Sequence, residues 1–178
     1  MALLFDLGDT LMVEESEVKD AEGTTLRADL VPGMAEALHW LKERGYGLAL
    51  VADSRPHTPA NVLRQHGLYG LFETLAISEV VGVEKPDRLI FQTALEALGI
   101  PESDYSRVAM VGNNLERDVV GANRLGLISI FFHGSDRRRS RPLTAEETPQ
   151  YTVSSAEELI SLIGHLDGQG GHGNVKRN

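Results

Sequence analysis

The sequence ALLFDLGDTL at residues 2–11 joins a short apolar run to an acidic residue and a glycine-containing turn. The run Ala2–Phe5 is short and continuous, as strands that are buried on both faces of a sheet are. Asp6 stands where this strand should end, and Gly8 and Thr10 follow it. We therefore expect the Asp6 carboxylate at the carboxyl edge of a sheet, where open α/β sheets place their functional groups.

Four more apolar runs follow along the chain, with helical spacing of apolar residues between several of them. The runs comprise residues 48–51, 74–77, 108–111 and 127–132. Helices are predicted after Pro32-Gly33, after Pro86, and from the capping-box pattern that begins at Ser155. Strands that alternate with helices predict an α/β fold around a mostly parallel sheet.

The length of 178 residues fits one domain, which we assign to residues 1–166. Within it, the polar segment 13–29 is predicted to be a flap or hairpin insert rather than a folded cap domain. Residues 167–178 are rich in glycine and polar residues and are predicted to form a loose C-terminal tail.

Composition excludes several classes of function. The net charge of −9 argues against a generic nucleic-acid binder and against an anionic membrane surface as partner. The absence of cysteine excludes a disulfide framework, a thiolate zinc site and a cysteine nucleophile. No signal peptide or transmembrane segment is recognisable, so we expect a cytoplasmic protein.

The acid after the first strand suggests phosphoryl-transfer chemistry. A carboxylate there can attack phosphorus and form an aspartyl-phosphate, but two anions then meet and the site needs cations. Mg²⁺, held by oxygen ligands, supplies one cation, and Lys85, at the start of a predicted helix, supplies another. A second acidic loop usually completes such a metal site, and residues 111–118 are the candidate.

Three motifs resemble those of the haloacid dehalogenase superfamily, in its capless subclass. They are FDLGDTL at 5–11, VEKPD at 83–87 and VGNNLERDVVGA at 111–122, and the resemblance runs from Ala2 to about Leu166. It implies a Rossmann-like three-layer sandwich with a central, mostly parallel sheet, a short flap after the first strand and no large cap domain. It also implies a nucleophilic aspartate and bound Mg²⁺, and most members of the superfamily are phosphatases.

The resemblance assigns roles to individual residues. Asp6 matches the nucleophile and first metal ligand, and the backbone carbonyl of Gly8 matches the second protein ligand. Lys85 matches the lysine that neutralises the nucleophile and binds the phosphoryl group, and Thr10 is a further candidate for substrate binding. Asp118 matches the later acid of the last motif, which supports the metal shell or the lysine.

Three positions depart from the pattern of the superfamily. Gly8 stands where a second acid normally protonates the leaving group. Asp9 follows one residue later, and it is either a displaced catalytic acid or a turn residue. Ala52 stands where a small hydroxyl residue is expected, so Ser54 is the candidate substitute in substrate binding. Asn113 replaces an acidic metal ligand, which leaves an amide oxygen to bind Mg²⁺.

The leading hypothesis is a Mg²⁺-dependent phosphohydrolase that acts on a phosphate monoester of a small molecule or a macromolecule. The alternative is a catalytically weak or inactive binding or regulatory module, suggested by the three substituted positions. Dehalogenation at carbon and a phosphorylated receiver domain rank lower. Without a cap, the flap, a second subunit or a macromolecular substrate must close the site. The basic run Arg137–Arg141 is either a solvated loop or a contact for substrate or partner.

Overall fold

The computed structural model describes residues 1–170, and its strands and helices alternate along the chain. The strands are β1 (Ala2–Phe5), β2 (Val18–Lys19), β3 (Thr25–Arg27), β4 (Gly47–Ala52), β5 (Thr74–Ile77), β6 (Val108–Gly112), β7 (Ile128–Phe132) and β8 (Tyr151–Val153). The α-helices are α1 (Met34–Glu43), α2 (Thr58–Gln65), α3 (Ser78–Val81), α4 (Arg88–Ala97), α5 (Val120–Leu125) and α6 (Ala156–Gly170).

Six strands form one parallel sheet in the order β5-β4-β1-β6-β7-β8. In β1, Leu3 and Phe5 face a core that includes residues of α1, α2 and α6, whereas Ala2 and Leu4 face a second core that includes residues of α4 and α5. Helices on both faces of a parallel sheet confirm the predicted three-layer α/β sandwich.

The position of β1 at the centre of the sheet decides where the functional edge lies. The chain leaves β1 towards β4 and β5 on one side, then crosses over to β6, β7 and β8 on the other. In the register of the sheet, Phe5 pairs with Leu50 of β4 and with Val111 of β6. The reversal of strand order opens a crevice beyond the carboxyl end of β1, directly at Asp6.

A small antiparallel hairpin of β2 and β3 occupies the segment 13–29. It is fastened to α2 by three backbone contacts. The N–H of Thr25 donates to the hydroxyl of Thr58 at 3.0 Å, the amide of Asn61 donates to the Thr25 carbonyl at 2.9 Å, and the N–H of Ala28 donates to Gln65 at 3.1 Å. The hairpin is therefore a fixed wall beside the sheet edge.

Helix α6 extends further than the sequence predicts. It begins with the predicted cap, in which Ser155 Oγ accepts the N–H of Glu158, and it continues through Gly170. Burial and the neighbouring Asp167 carboxylate raise the pKa of Tyr46 to about 12, so the exposed Asp167 lies beside the side chain of Tyr46, a residue of the core. The predicted tail boundary at 167 is therefore corrected, and its remainder, 171–178, lies outside the described residues. None of the helices within 1–170 has the length and apolar character that a membrane span requires.

Candidate active site

Lys85 is the centre of a buried charge cluster at the carboxyl edge of the sheet. Its Nζ lies 2.6 Å from Oδ1 of Asp6 and 2.7 Å from Oδ1 of Asp118. Nζ also donates to the carbonyl of Val51 at 2.9 Å, and the N–H of Lys85 donates to Asp53 at 2.9 Å. Since only 2% of the Lys85 side chain is exposed, the ammonium is held in one place by the ends of β1 and β4 and the segment after β6.

The charges of this cluster stabilise one another. Burial alone would lower the pKa of the Lys85 ammonium, but the carboxylates of Asp118, Asp6 and Asp53 outweigh it and hold that pKa above its ordinary value. Burial and the nearby Asp6 raise the pKa of Asp118, against the opposing effect of Lys85. The ammonium therefore stays charged at neutral pH, and the surplus of carboxylate around it favours a further cation at this edge.

A cavity of about 400 Å³ opens above the cluster. Five residues that the sequence predicts for the site line it: Asp6, Gly8, Ser54, Lys85 and Asn113. The opposite wall comes from the hairpin, through Glu17, Lys19, Gly23 and Thr25. The motifs are thus brought together as expected, and the hairpin covers one side of the cavity.

Ser54 lies in the cavity, but its groups already have local partners. Its N–H donates to Oγ of Ser78 at 3.1 Å, and its hydroxyl donates to the carbonyl of Arg55 at 3.3 Å. The weak hydroxyl contact leaves Ser54 able to reorient towards a bound phosphoryl group. The structure is therefore compatible with the predicted role.

Thr10 and Asp9, two of the predicted site residues, lie outside the cavity. Thr10 is fully buried beneath the turn and does not line the cavity, so a role in substrate binding does not fit this structure. Asp9 has a φ of 47°, and its carboxylate faces away from the cavity and accepts the N–H of Glu14 at 3.0 Å and the hydroxyl of Ser135 at 3.1 Å. Of the two interpretations of Asp9, the turn residue fits and the displaced catalytic acid does not.

Asp118 lies behind Lys85 rather than in the cavity. Its Oδ2 accepts the N–H of Asn114 at 2.9 Å, and only 1% of its side chain is exposed. This geometry fits the support of Lys85 better than direct metal ligation, which was the other role expected of it.

The buried side chain of Asn113 indicates whether the cavity could hold Mg²⁺. It is 5% exposed, and neither Oδ1 nor Nδ2 has a hydrogen-bond partner. A buried amide without partners is costly, and an ion at Oδ1 would satisfy it. Asp6 and Gly8 line the same cavity, and a carboxylate, a backbone carbonyl and an amide oxygen are ligands of the kind that Mg²⁺ prefers. Residues 1–170 contain no group of three acidic, histidine or cysteine side chains placed to hold a metal ion, so this set, in which Asp6 is the one acid, carries little charge.

Replacing Asn113 with Asp is expected to tighten Mg²⁺ binding by about tenfold, because a carboxylate replaces a neutral ligand. The rise in melting temperature on Mg²⁺ titration measures this without reference to turnover. Asn114→Asp is the matched control, since Asn114 Oδ1 caps the N–H of Glu116 at 3.0 Å and Asp caps equally well. Equal tightening in both variants would mean that the added charge acts through space and that Asn113 is not a ligand.

The sequence assigned no role to Arg117 of the cavity lining, and it named Arg138 only as part of the basic run 137–141. Arg117 pairs with Asp53 at 2.8 Å and with Glu84 at 3.1 Å, and Arg138 pairs with Glu14 at 3.0 Å. The basic run after β7 and the acidic segment after β1 were visible signals for the second pair, although nothing in the sequence indicated that they meet.

The comparisons with known proteins agree with this geometry. Residues 22–126 match the family of haloacid dehalogenase-like hydrolases. A glyceraldehyde 3-phosphate phosphatase of Methanopyrus kandleri is 27% identical over 76% of this chain and 57% of its own length. The pyrimidine 5'-nucleotidase YjjG of Escherichia coli is 41% identical over 57% of this chain and 42% of its own. A phosphoserine phosphatase of Thermus thermophilus is 32% identical over 75% of this chain and 51% of its own length.

The chain spans about half the length of the curated relatives it matches. A solved HAD phosphatase of Thermococcus onnurineus superposes with a TM-score of 0.74 at 18% identity, covering 92% of this chain and 97% of that one, which supports the fold. Because the family match covers more than half of the chain and the three motifs meet at one cavity, the protein belongs to the haloacid dehalogenase-like hydrolases.

Proposed function

We propose that this protein is a Mg²⁺-dependent phosphohydrolase that cleaves a phosphate monoester through an aspartyl-phosphate on Asp6. The observation that carries the proposal is the contact of 2.6 Å between Asp6 and the buried Lys85 at the floor of the cavity. A carboxylate held against a fixed cation at the end of the central strand is arranged to meet a second anion.

The roles of the side chains follow from their positions. Asp6 has one oxygen on Lys85 and lines the cavity, where its carboxylate attacks phosphorus. Lys85 neutralises the phosphoryl oxygens and keeps Asp6 oriented, and Asp118 holds Lys85 in place from behind. Ser54 lies at the same edge and donates a hydrogen bond to the phosphoryl group.

Asp6, the Gly8 carbonyl and Asn113 would hold Mg²⁺. When bound, the ion supplies positive charge that offsets the repulsion between the nucleophile and the phosphate. The low charge of the donor set leads us to expect weaker Mg²⁺ binding than in a site with three acids.

The cavity favours a small phosphorylated molecule over a macromolecular substrate. Its volume of about 400 Å³ is in the range of small-molecule sites, and the hairpin covers one side of it. Arg55 also lines it and has no carboxylate partner among residues 1–170, so one lining cation is available to an anionic substrate. The names of the curated phosphatase relatives agree with substrates of this size. With a hairpin in this place, the proposed function does not depend on a second subunit to close the site.

The second candidate is a module that binds a phosphorylated ligand without turning it over. Ala52 provides no hydroxyl, Asn113 provides no charge, and Gly8 provides no acidic side chain. Such a module would keep Lys85 and bind phosphate esters but release no inorganic phosphate.

Hydrolysis of an aryl phosphate and of a panel of small phosphate monoesters, with saturating Mg²⁺, distinguishes the two candidates. We expect release of inorganic phosphate that stops on addition of chelator and returns with Mg²⁺. Binding of the same esters without any phosphate release would overturn the enzymatic function and favour the binding module.

A further inference from the structure

Glu14 fills the space beside Gly8. A Cβ at Gly8 would collide with the Glu14 carboxylate, so Glu14 occupies the volume that a side chain at position 8 would take. Gly8 is two residues from Asp6, which places their Cα atoms at most about 7 Å apart. Glu14 and Asp6 also line the same cavity. A carboxylate from the flap segment therefore stands next to the nucleophile.

The position of Glu14 is fixed from several sides. Its N–H donates to Asp9 Oδ1 at 3.0 Å, which ties the start of the turn at Glu14–Ser16 to the end of the nucleophile loop. Arg137 bridges the same two residues, with Nη2 at 3.0 Å from Glu14 and Nε at 3.3 Å from Asp9. Asp9 is thus a positioning residue for Glu14. This role explains why Asp9 is a buried acid although it does not itself reach the cavity.

Two arginines hold the Glu14 carboxylate. Oε2 is paired with Arg137 and Oε1 with Arg138, each at 3.0 Å. Two guanidinium groups hold the two carboxylate oxygens in place, and each oxygen keeps a second lone pair that can accept a hydrogen bond from water. With 20% of its side chain exposed, Glu14 can also pass a proton on to solvent.

From this arrangement we infer that Glu14 is the general base of the second half of the reaction, in which water releases the phosphoryl group from Asp6. The oxygen of water forms a bond to phosphorus while the bond between phosphorus and the Asp6 oxygen breaks. The electron pair of the broken bond returns to the Asp6 carboxylate, and the proton of water passes to the Glu14 carboxylate and then to solvent. The inference rests on the proposed phosphohydrolase function.

Glu14→Gln tests this role, because Gln keeps the size of the side chain but cannot take the proton. With an aryl phosphate, we expect one rapid release of aryl alcohol per active site, followed by a steady state about a hundredfold slower than in the wild type. Acid-quenched protein should then retain a phosphoryl group in this variant, since formation of the aspartyl-phosphate continues and its hydrolysis does not. Glu15→Gln is the matched control, as Glu15 is on the same turn but lines a different groove with Asp9 and Arg137.

A second variant separates proton transfer from a structural effect. Glu14→Ala empties the space beside Gly8. Adding Gly8→Asp to this variant places a carboxylate in the same space, now carried by the loop that follows β1. We expect the double variant to recover steady-state hydrolysis relative to Glu14→Ala.

Two results would overturn the inference. One is a Glu14→Gln enzyme with unchanged turnover, and the other is a loss in which the first turnover and the steady state fall together with no phosphorylated protein. If the wild-type protein hydrolyses phosphate esters and loses this activity in Asp6→Asn, either result would leave the proposed function unchanged. A wild type that hydrolyses no phosphate ester would overturn both.

Discussion

Asp6→Asn is expected to lower phosphate-ester hydrolysis by roughly a thousandfold or more, the largest effect of any single substitution in this protein. The amide keeps the shape of the side chain but is a far weaker nucleophile. It also removes one negative charge from the pair with Lys85, although Asp118 continues to neutralise the ammonium at 2.7 Å. Turnover of an aryl phosphate with saturating Mg²⁺ measures the effect, and the unfolding midpoint shows that the fold is retained.

Asp53→Asn is the control for this prediction. Asp53 lines the same cavity and accepts the N–H of Lys85 at 2.9 Å, but it is engaged by Arg117 at 2.8 Å. We expect less than about a tenfold loss of activity, because Asn can still accept the backbone hydrogen bond. Similar losses in the two variants would show that the general charge of the cavity, and not a nucleophile at Asp6, governs the rate.

Lys85→Met is expected to destabilise the fold by about 3 to 5 kcal/mol as well as to abolish activity. The change leaves Asp6 at the floor of the cavity and Asp118 behind it, with 13% and 1% of their side chains exposed and no ammonium between them. Uncompensated buried charge is among the most destabilising features a protein can carry. Urea unfolding in the presence of a chelator measures the free energy of unfolding without a compensating ion.

The matched control is Lys42→Met. Lys42 also pairs with a carboxylate, that of Glu73, at 2.5 Å, but about a third of each side chain is exposed. Exposed pairs contribute at most about 1 kcal/mol, so burial and not contact distance accounts for the expected difference. In the double variant Lys85→Met, Asp118→Leu part of the lost stability should return, since the least exposed carboxylate is gone. Equal unfolding free energies for Lys85→Met and Lys42→Met would contradict this account of the cluster.

The central sheet and the Asp6–Lys85 pair could be predicted because they depend on local patterns. Buried parallel strands such as β6 are continuous apolar runs, and the ends of parallel strands meet at one edge whatever the loops between them do. Strand β8 was missed because it has three residues, two of them exposed, and pairs only with β7 at the border of the sheet.

The orientations of side chains in the turn after β1 could not be predicted. Asp9 and Thr10 adjoin the nucleophile motif, but the packing of the turn buries Thr10 and directs Asp9 towards Glu14. The contact of Glu14 with Arg137 joins segments that are 123 residues apart in the sequence, and it exists only because β1 and β7 end at the same edge. Such contacts follow from the fold and have no local signal.

The covalent intermediate on Asp6 is the central claim and can be observed directly. Protein quenched during turnover of a phosphate ester, then treated with borohydride, should carry homoserine in place of Asp6, because the reductant acts on an acyl phosphate and leaves a free carboxylate unchanged. Mass analysis of the N-terminal peptide is expected to locate this change at Asp6 in the wild type and at no position in Asp6→Asn. Sustained hydrolysis with an unmodified Asp6, or with the modification at another acid such as Glu14, would contradict the account.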